Sequence, residues 1–255
     1  EDTADLTLFQ SVRQLDIQKD ISPFRHLLSL ENTRKATAEA FIRYTRPEHL
    51  DPEALVKCYT SWELSKEDTL LLQLKSHHEA DMIGLLHLHS FSAYTQFFSG
   101  RFAKVHLCRL EENFCHLALI LETPVPQRIQ LSNALLSLSL EKDTAHLVIP
   151  VLSGELKYFL PGPVKDYYYL PKEDRSIHKS VAFYVDKNYR TRAKAANCYS
   201  RKTGLFLPQS DEIVSPYFKI DYYDKITYFE YLPEFTQNPE LILRYVRHIL
   251  RILIQ

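Results

Sequence analysis

The hydrophobic period of this chain changes once, at Gly100. From Asp5 to about Phe98 apolar residues recur every three or four positions, the spacing that puts them on one side of a helix. Beyond Gly100 short apolar runs alternate with polar residues, the spacing of strands. Neither a uniform helical bundle nor a uniform barrel accommodates both patterns. They predict an α+β protein, with a mostly helical segment over residues 1–98 and a mainly antiparallel β-rich segment over residues 99–255 that carries added helices.

Within the helical segment, Asn32 or Thr33 can cap a helix through Lys35, Ala38, Phe41 and Ile42 that Pro47 ends. Pro52 suits the first helical position of residues 53–62. Ser65 is placed to cap a long run over residues 66–98, in which Gly84 can bend the helix or admit another backbone. Strands are expected over residues 105–108, 116–121, 129–141 and 146–160. The sequence Pro171-Lys172-Glu173-Asp174 signals the first turn of a helix through Ile177, Val181 and Tyr184, because proline and acids favour that position. Arg201-Lys202-Thr203-Gly204 reads as a hairpin turn between residues 193–199 and 205–208. Residues 239–255 form a basic amphipathic helix, with Arg244, Arg247, His248 and Arg251 on one side and Ile242, Val246, Ile249 and Leu253 opposite.

Composition removes several classes of function. Only 5 glycines accompany 16 tyrosines and 14 phenylalanines, and neither a dinucleotide fingerprint nor a Walker sequence is present, so enzymes built on Gly-rich phosphate loops are excluded. The formal net charge of −1 makes any electrostatic site a local patch. The longest purely apolar run, residues 117–121, falls far short of the ~18 residues of a membrane span, so no membrane partner is expected. Glu1-Asp2-Thr3-Ala4-Asp5 has no initiator Met, basic region or apolar core, and reads as a cut end, not a signal peptide. Cys58, Cys108, Cys115 and Cys198 lack C-x-x-C spacing, which fits reduced thiols in a cytoplasmic location. No nucleophile-elbow sequence supports a Ser or Cys hydrolase.

Two constellations carry chemistry. In Ser76-His77-His78-Glu79-Ala80-Asp81, His77 and Asp81 lie one helical turn apart, about 5–6 Å between Cβ atoms, so the carboxylate can hold a divalent ion while the imidazole deprotonates a bound water. The same spacing also describes a solvated polar face. A zinc site is disfavoured, since His87 and His89 cannot share a helix face. Residues 178–202 carry seven cations against one acid, Asp186, with Tyr184, Tyr189 and Tyr199 interleaved. Lys179, Arg190, Arg192, Lys194, Arg201 and Lys202 are the candidate nucleic-acid contacts, with Arg192 and Lys194 on one strand face; a solvated sheet face with inward tyrosines is the alternative. The tyrosine run 167–169 is assigned to packing.

Three stretches carry a resemblance to the YprB-type, RNase H-like exonuclease family of the DEDD superfamily. Asp5-Leu6-Thr7-Leu8-Phe9 resembles the segment after that family's middle motif, and His77-His78-Glu79-Ala80-Asp81 resembles its last motif. Asp166-Tyr167-Tyr168-Tyr169-Leu170-Pro171, with Ile177-His178-Lys179-Ser180-Val181, Cys198-Tyr199-Ser200-Arg201-Lys202 and Leu207-Pro208-Gln209, resembles a C-terminal extension of some members. The resemblance implies a helical remnant of an RNase H-like α/β domain and metal-dependent 3′–5′ cleavage of DNA or RNA using Mg or Mn ions. Asp81 maps onto the terminal metal ligand and His77 onto the residue that orients or deprotonates the water. Two cations about 4 Å apart need several carboxylates. The Asn-Arg expected after the histidine is His78-Glu79, and no Asp-x-Glu motif precedes Asp5. The chain is therefore expected to be a fragment inactive as a nuclease, with a non-catalytic nucleic-acid-binding or protein-interaction module as the alternative.

Overall fold

The computed structural model describes residues 16–46 and 50–254. The Asp5–Phe9 stretch and Pro47 lie outside them. Among the described residues the helical period resolves into α1 (Ile17–Ile21), α2 (Lys35–Phe41), α3 (Pro52–Ser65), α4 (Asp68–Leu88) and α5 (Ser92–Phe98). Pro52 takes the first helical position of α3, and the Asp51 carboxylate accepts the Ala54 N–H at 2.7 Å. Ser65 does not cap the long run as expected. It ends α3, where Lys66 adopts a left-handed conformation at φ 55° and donates its N–H to Trp62 O, and α4 starts after Glu67.

The long run itself is interrupted by one 3₁₀ turn at His89–Phe91. That tighter turn re-phases the apolar residues, and Leu88, Phe91, Tyr94 and Phe97 are all buried. Gly84 leaves α4 unbroken, and what approaches it is a side chain: a Cβ there would stand 2.7 Å from Glu39 Oε1 of α2.

The strands are β1 (Lys104–Glu111), β2 (Phe114–Ile120), β3 (Ile129–Ser132), β4 (Ser137–Glu141), β5 (Thr144–Pro150), β6 (Leu152–Phe159), β7 (Tyr167–Leu170), β8 (Arg175–His178), β9 (Thr191–Arg192), β10 (Tyr199–Gln209), β11 (Tyr217–Phe218) and β12 (Thr227–Glu230). They form sheets of order β1-β2-β5-β4-β3, β11-β12-β10-β6 and β8-β7-β9. Helices α6 (Lys179–Ala182), α7 (Pro233–Thr236) and α8 (Pro239–Ile254) complete the fold, which is α+β. Alternation supplies the core of the first sheet: Cys115, Leu117 and Leu119 of β2 and Ala145, Leu147 and Ile149 of β5 are buried, and Ala118 of β2 is covered on the other face.

Contacts divide the chain into two compact units. One holds the described residues up to Arg101 with Leu121–Ile129 and Leu140–Asp143; the other holds Phe102–Ile120, Gln130–Ser139 and the chain from Thr144 onward. No helix among the described residues is long and apolar enough to cross a membrane.

Four expected elements differ, each because strand pairing or a turn overrides a local signal. The run 129–141 splits into β3 and β4 at a turn where Asn133 Oδ1 accepts the Leu135 and Leu136 N–H groups. The run 146–160 breaks at buried Val151, whose N–H bonds Asn113 O at 2.7 Å, so β5 and β6 enter different sheets. Pro171–Asp174 does not open a helix; it is the turn of the β7–β8 hairpin, and only Lys179–Ala182 is helical. Asp174 sits at φ 48°, held by the hydroxyls of Tyr169 and Tyr199 and by Arg201. Arg201–Gly204 is not a hairpin turn either. It lies inside the 11-residue strand β10, with Gly204 opposite Gly154 of β6 and Arg201 bonding Glu155 at 2.7 Å.

Candidate nucleic-acid interface and the histidine–aspartate pair

Asp81 leaves α4 toward α2. Its Oδ1 lies 2.5 Å from Lys35 Nζ and 2.9 Å from Arg46 Nη1. Arg46 simultaneously grips buried Glu39, through Nη2 at 2.8 Å and Nε at 3.0 Å. Two carboxylates and two cations thus form a closed, electrically neutral set. The hydrogen bond from Lys35, then the charges of Lys35, Arg46 and His77, hold the Asp81 carboxyl below its ordinary value of 3.8. The Glu39 hydrogen bond in turn raises the Arg46 guanidinium. Gly84 makes room for this set, because any side chain there would meet the Glu39 carboxylate.

His77 accepts the Leu50 N–H on Nδ1 at 3.3 Å. That bond occupies the Nδ1 lone pair and favours the tautomer with its proton on Nε2, so Nδ1 is not available to take a proton from a water. The residues present do not fit a divalent ion as folded. The Lys35 ammonium and the Arg46 guanidinium occupy the Asp81 oxygen that would bind it, and among the described residues no three His, Cys, Asp or Glu side chains converge.

The basic region sorts differently from its sequence. Three of the six candidate contacts are tied to acids: Lys179 to Asp166 at 2.7 Å, Arg201 to Glu155 and Asp174, and Lys202 to Glu230 at 3.4 Å. Tyr199 is buried against Asp174 and offers no ring to solvent. Lys194 does not share a strand face with Arg192, since β9 ends at Arg192 and Lys194 precedes a 3₁₀ turn.

Arg190, Arg192 and Lys194 have no carboxylate partner among the described residues. The arginines converge on one ring: their guanidinium carbons stand 5.0 and 4.7 Å from the centroid of Tyr168, with Arg192 directly across from Tyr168 in the β7–β9 pairing. Each is anchored by one N–H, Arg190 on Ala182 O and Arg192 on Lys165 O, leaving its other donors free to turn outward.

Sequence reading missed Lys165, Lys172, Phe183 and the role of Tyr168 in this lobe, and it named Tyr184 without foreseeing its exposure. Lys165 and Lys172 lie upstream of the window 178–202, yet the β7–β8 hairpin brings them in, and Lys172 Nζ sits 4.7 Å from the Tyr189 ring. Tyr168 is half-buried and serves as a platform for two arginines, beyond packing alone. Phe183 is 76% exposed and Tyr184 86% exposed, because the expected helix that would have buried one side of them ends at Ala182. Over residues 163–202 there are ten cations against four acids, so the upstream stretch adds three cations and three acids and leaves the surplus of the window 178–202 unchanged, which is why composition did not mark it.

His248 lies 3% exposed in α8, not on the arginine side. Its Nε2 accepts the Ser210 N–H at 2.9 Å, Ser210 Oγ is 3.3 Å away, and Nδ1 is 3.5 Å from Asp211 Oδ2. The spacing approaches a serine–histidine–aspartate triad. However, the Nε2 lone pair is already taken by a backbone amide, and burial lowers the His248 pKa, so the ring pins a turn and does not activate the hydroxyl.

No family model, curated protein or solved structure matches the chain.

Proposed function

We propose that this chain binds nucleic acid through the β7–β9 lobe and, as folded, does not cleave it. One observation carries the reading: Arg190 and Arg192 are held unneutralised on Tyr168 in a lobe that also exposes Lys165, Lys172, Lys187 and Lys194. Unpaired cations with free donors suit phosphate oxygens, and release of the counterions they displace drives binding. The resemblance to RNase H-like exonucleases supports a nuclease-like origin. On that reading the last metal ligand, Asp81, is held by Lys35 and Arg46, and the chain keeps the nucleic-acid-holding part of such an enzyme. A cytoplasmic setting belongs to the same proposal, and the four free cysteines suit it.

Fluorescence anisotropy with a labelled oligonucleotide tests the binding. Affinity should fall with salt by about 0.7 log unit per log unit for each phosphate engaged on a single strand. No binding at low salt would remove the reading. Incubation with Mg²⁺ or Mn²⁺ should leave the oligonucleotide intact, whereas degradation lost in Asp81→Ala would restore the nuclease.

A polypeptide-docking role is the second reading. Leu64, Leu72 and Leu86 in the first unit are 85%, 63% and 74% exposed, which favours a covered surface. Co-purification of a partner that shields them, with no oligonucleotide binding, would select it.

A further inference from the structure

We propose that the lobe is a platform for unpaired nucleic acid that needs no strand end, with Phe183 and Tyr184 stacking on bases; this rests on the lobe being the nucleic-acid interface. Phosphate contacts alone do not distinguish a duplex from a single strand, because both present a charged backbone. The rings do. Phe183 and Tyr184 sit at the end of α6, edge to face at 5.5 Å between centroids and 89° between planes, with most of both rings open to solvent.

Two neighbouring large aromatics exposed to this degree lose the apolar burial that stabilises most such side chains. In a duplex the base faces are already stacked on one another and cannot meet them. In a single strand every base has a free face, and stacking on it is tolerant of sequence.

The rings are placed to act with the cations. Arg190 donates to Ala182 O, the residue before Phe183, and its guanidinium rests on Tyr168 beside Arg192. Tyr189, 52% exposed beneath Lys172, adjoins Arg190 in sequence. Two exposed rings therefore adjoin the backbone carbonyl that anchors Arg190, and Arg190 shares the Tyr168 ring with Arg192, so one lobe offers rings for bases and guanidiniums for phosphates. Because Phe183 and Tyr184 stand proud of the surface, a strand can lie across them from either direction, and nothing in their exposure demands a terminus.

The test compares one labelled mixed-sequence oligonucleotide, as a single strand and as a blunt duplex, at the same salt, with circular and linear single-stranded DNA as competitors. The single strand should bind about tenfold tighter or more, and circular DNA should compete as well as linear DNA of the same sequence. Phe183→Ala combined with Tyr184→Ala should lower single-strand affinity about tenfold or more while moving duplex affinity less than about twofold. Tyr184→Phe should retain it, since the ring and not the hydroxyl stacks. Unchanged circular dichroism and melting would show that these exposed positions left the fold intact. Equal affinity for duplex and single strand, equal loss of both in the double variant, or failure of circular DNA to compete would overturn the inference while leaving the lobe a nucleic-acid site. Binding of neither form would overturn both.

Discussion

The His77–Asp81 set and the β7–β9 lobe are the two charge constellations of this protein, and they end in opposite states. Around Asp81 two carboxylates meet two cations in a partly buried cluster, and every charge is answered within it. In the lobe Arg190 and Arg192 are held in place by backbone carbonyls and an aromatic ring, groups that orient a cation without neutralising it. A charged residue becomes available to a ligand when its neighbours fix its position and leave its charge unspent. Position without residual charge makes a structural brace.

The largest expected effect tests the open side. Replacing Arg190, Arg192 and Lys194 together by glutamate should weaken oligonucleotide binding by roughly a thousandfold at low salt, since each reversal removes a phosphate contact and adds a repulsion. Asp81→Asn in the same assay should leave affinity within about twofold. Equal losses would mean that the two constellations work as one.

The closed side should show in stability. Arg46→Ala strands buried Glu39 and removes one partner of Asp81, and breaking such a pair costs about 3 kcal/mol, read from urea unfolding. Lys165→Ala, at an exposed residue in no ion pair among the described residues, should stay within about 0.5 kcal/mol. A stable Arg46→Ala protein would deny the brace.

Acid sharpens the contrast. The Asp81 carboxyl is lowered by Lys35, so the folded state binds its proton less readily than the unfolded chain. Its stabilisation is complete above the ordinary value of 3.8 and is lost as pH falls through the lower folded value. The urea midpoints of wild type and Asp81→Asn should therefore differ at neutral pH and converge as the pH drops below that ordinary value. A gap that persists unchanged in acid would show that Asp81 does not titrate as paired.

The smallest effect concerns cations that look equivalent in sequence. Lys179→Ala, Arg201→Ala and Lys202→Ala each remove a charge that already has an acid partner, and each should change affinity less than about threefold. Losses as large as that of Arg192→Ala would erase the division between spent and unspent cations.

Half of the candidate site was legible in the chain and half was not, for reasons visible residue by residue. The excess of cations over acids between His178 and Lys202 is a property of composition. Which cations stay free depends on Glu155 and Glu230, which reach Arg201 and Lys202 only once β10 has paired with β6 and β12. Tyr199 and Tyr184 looked alike as interleaved aromatics, yet one is 5% and the other 86% exposed. The signature of proline followed by acids at Pro171 serves a hairpin turn as readily as a helix start, and the β7–β8 pairing decided between them.

The sequence by itself determined the α+β class, the helices α3 and α8 and the presence of a basic region, because period, proline placement and composition act over a few residues. Tertiary structure alone decided that Lys35 reaches Asp81 across 46 positions, that Gly204 lies in a strand, and that Phe183 and Tyr184 face solvent. Hydrophobic period is set by neighbours along the chain, whereas neutralisation of a charge is set by whichever groups folding brings within a few ångströms of it, and those carry no local mark.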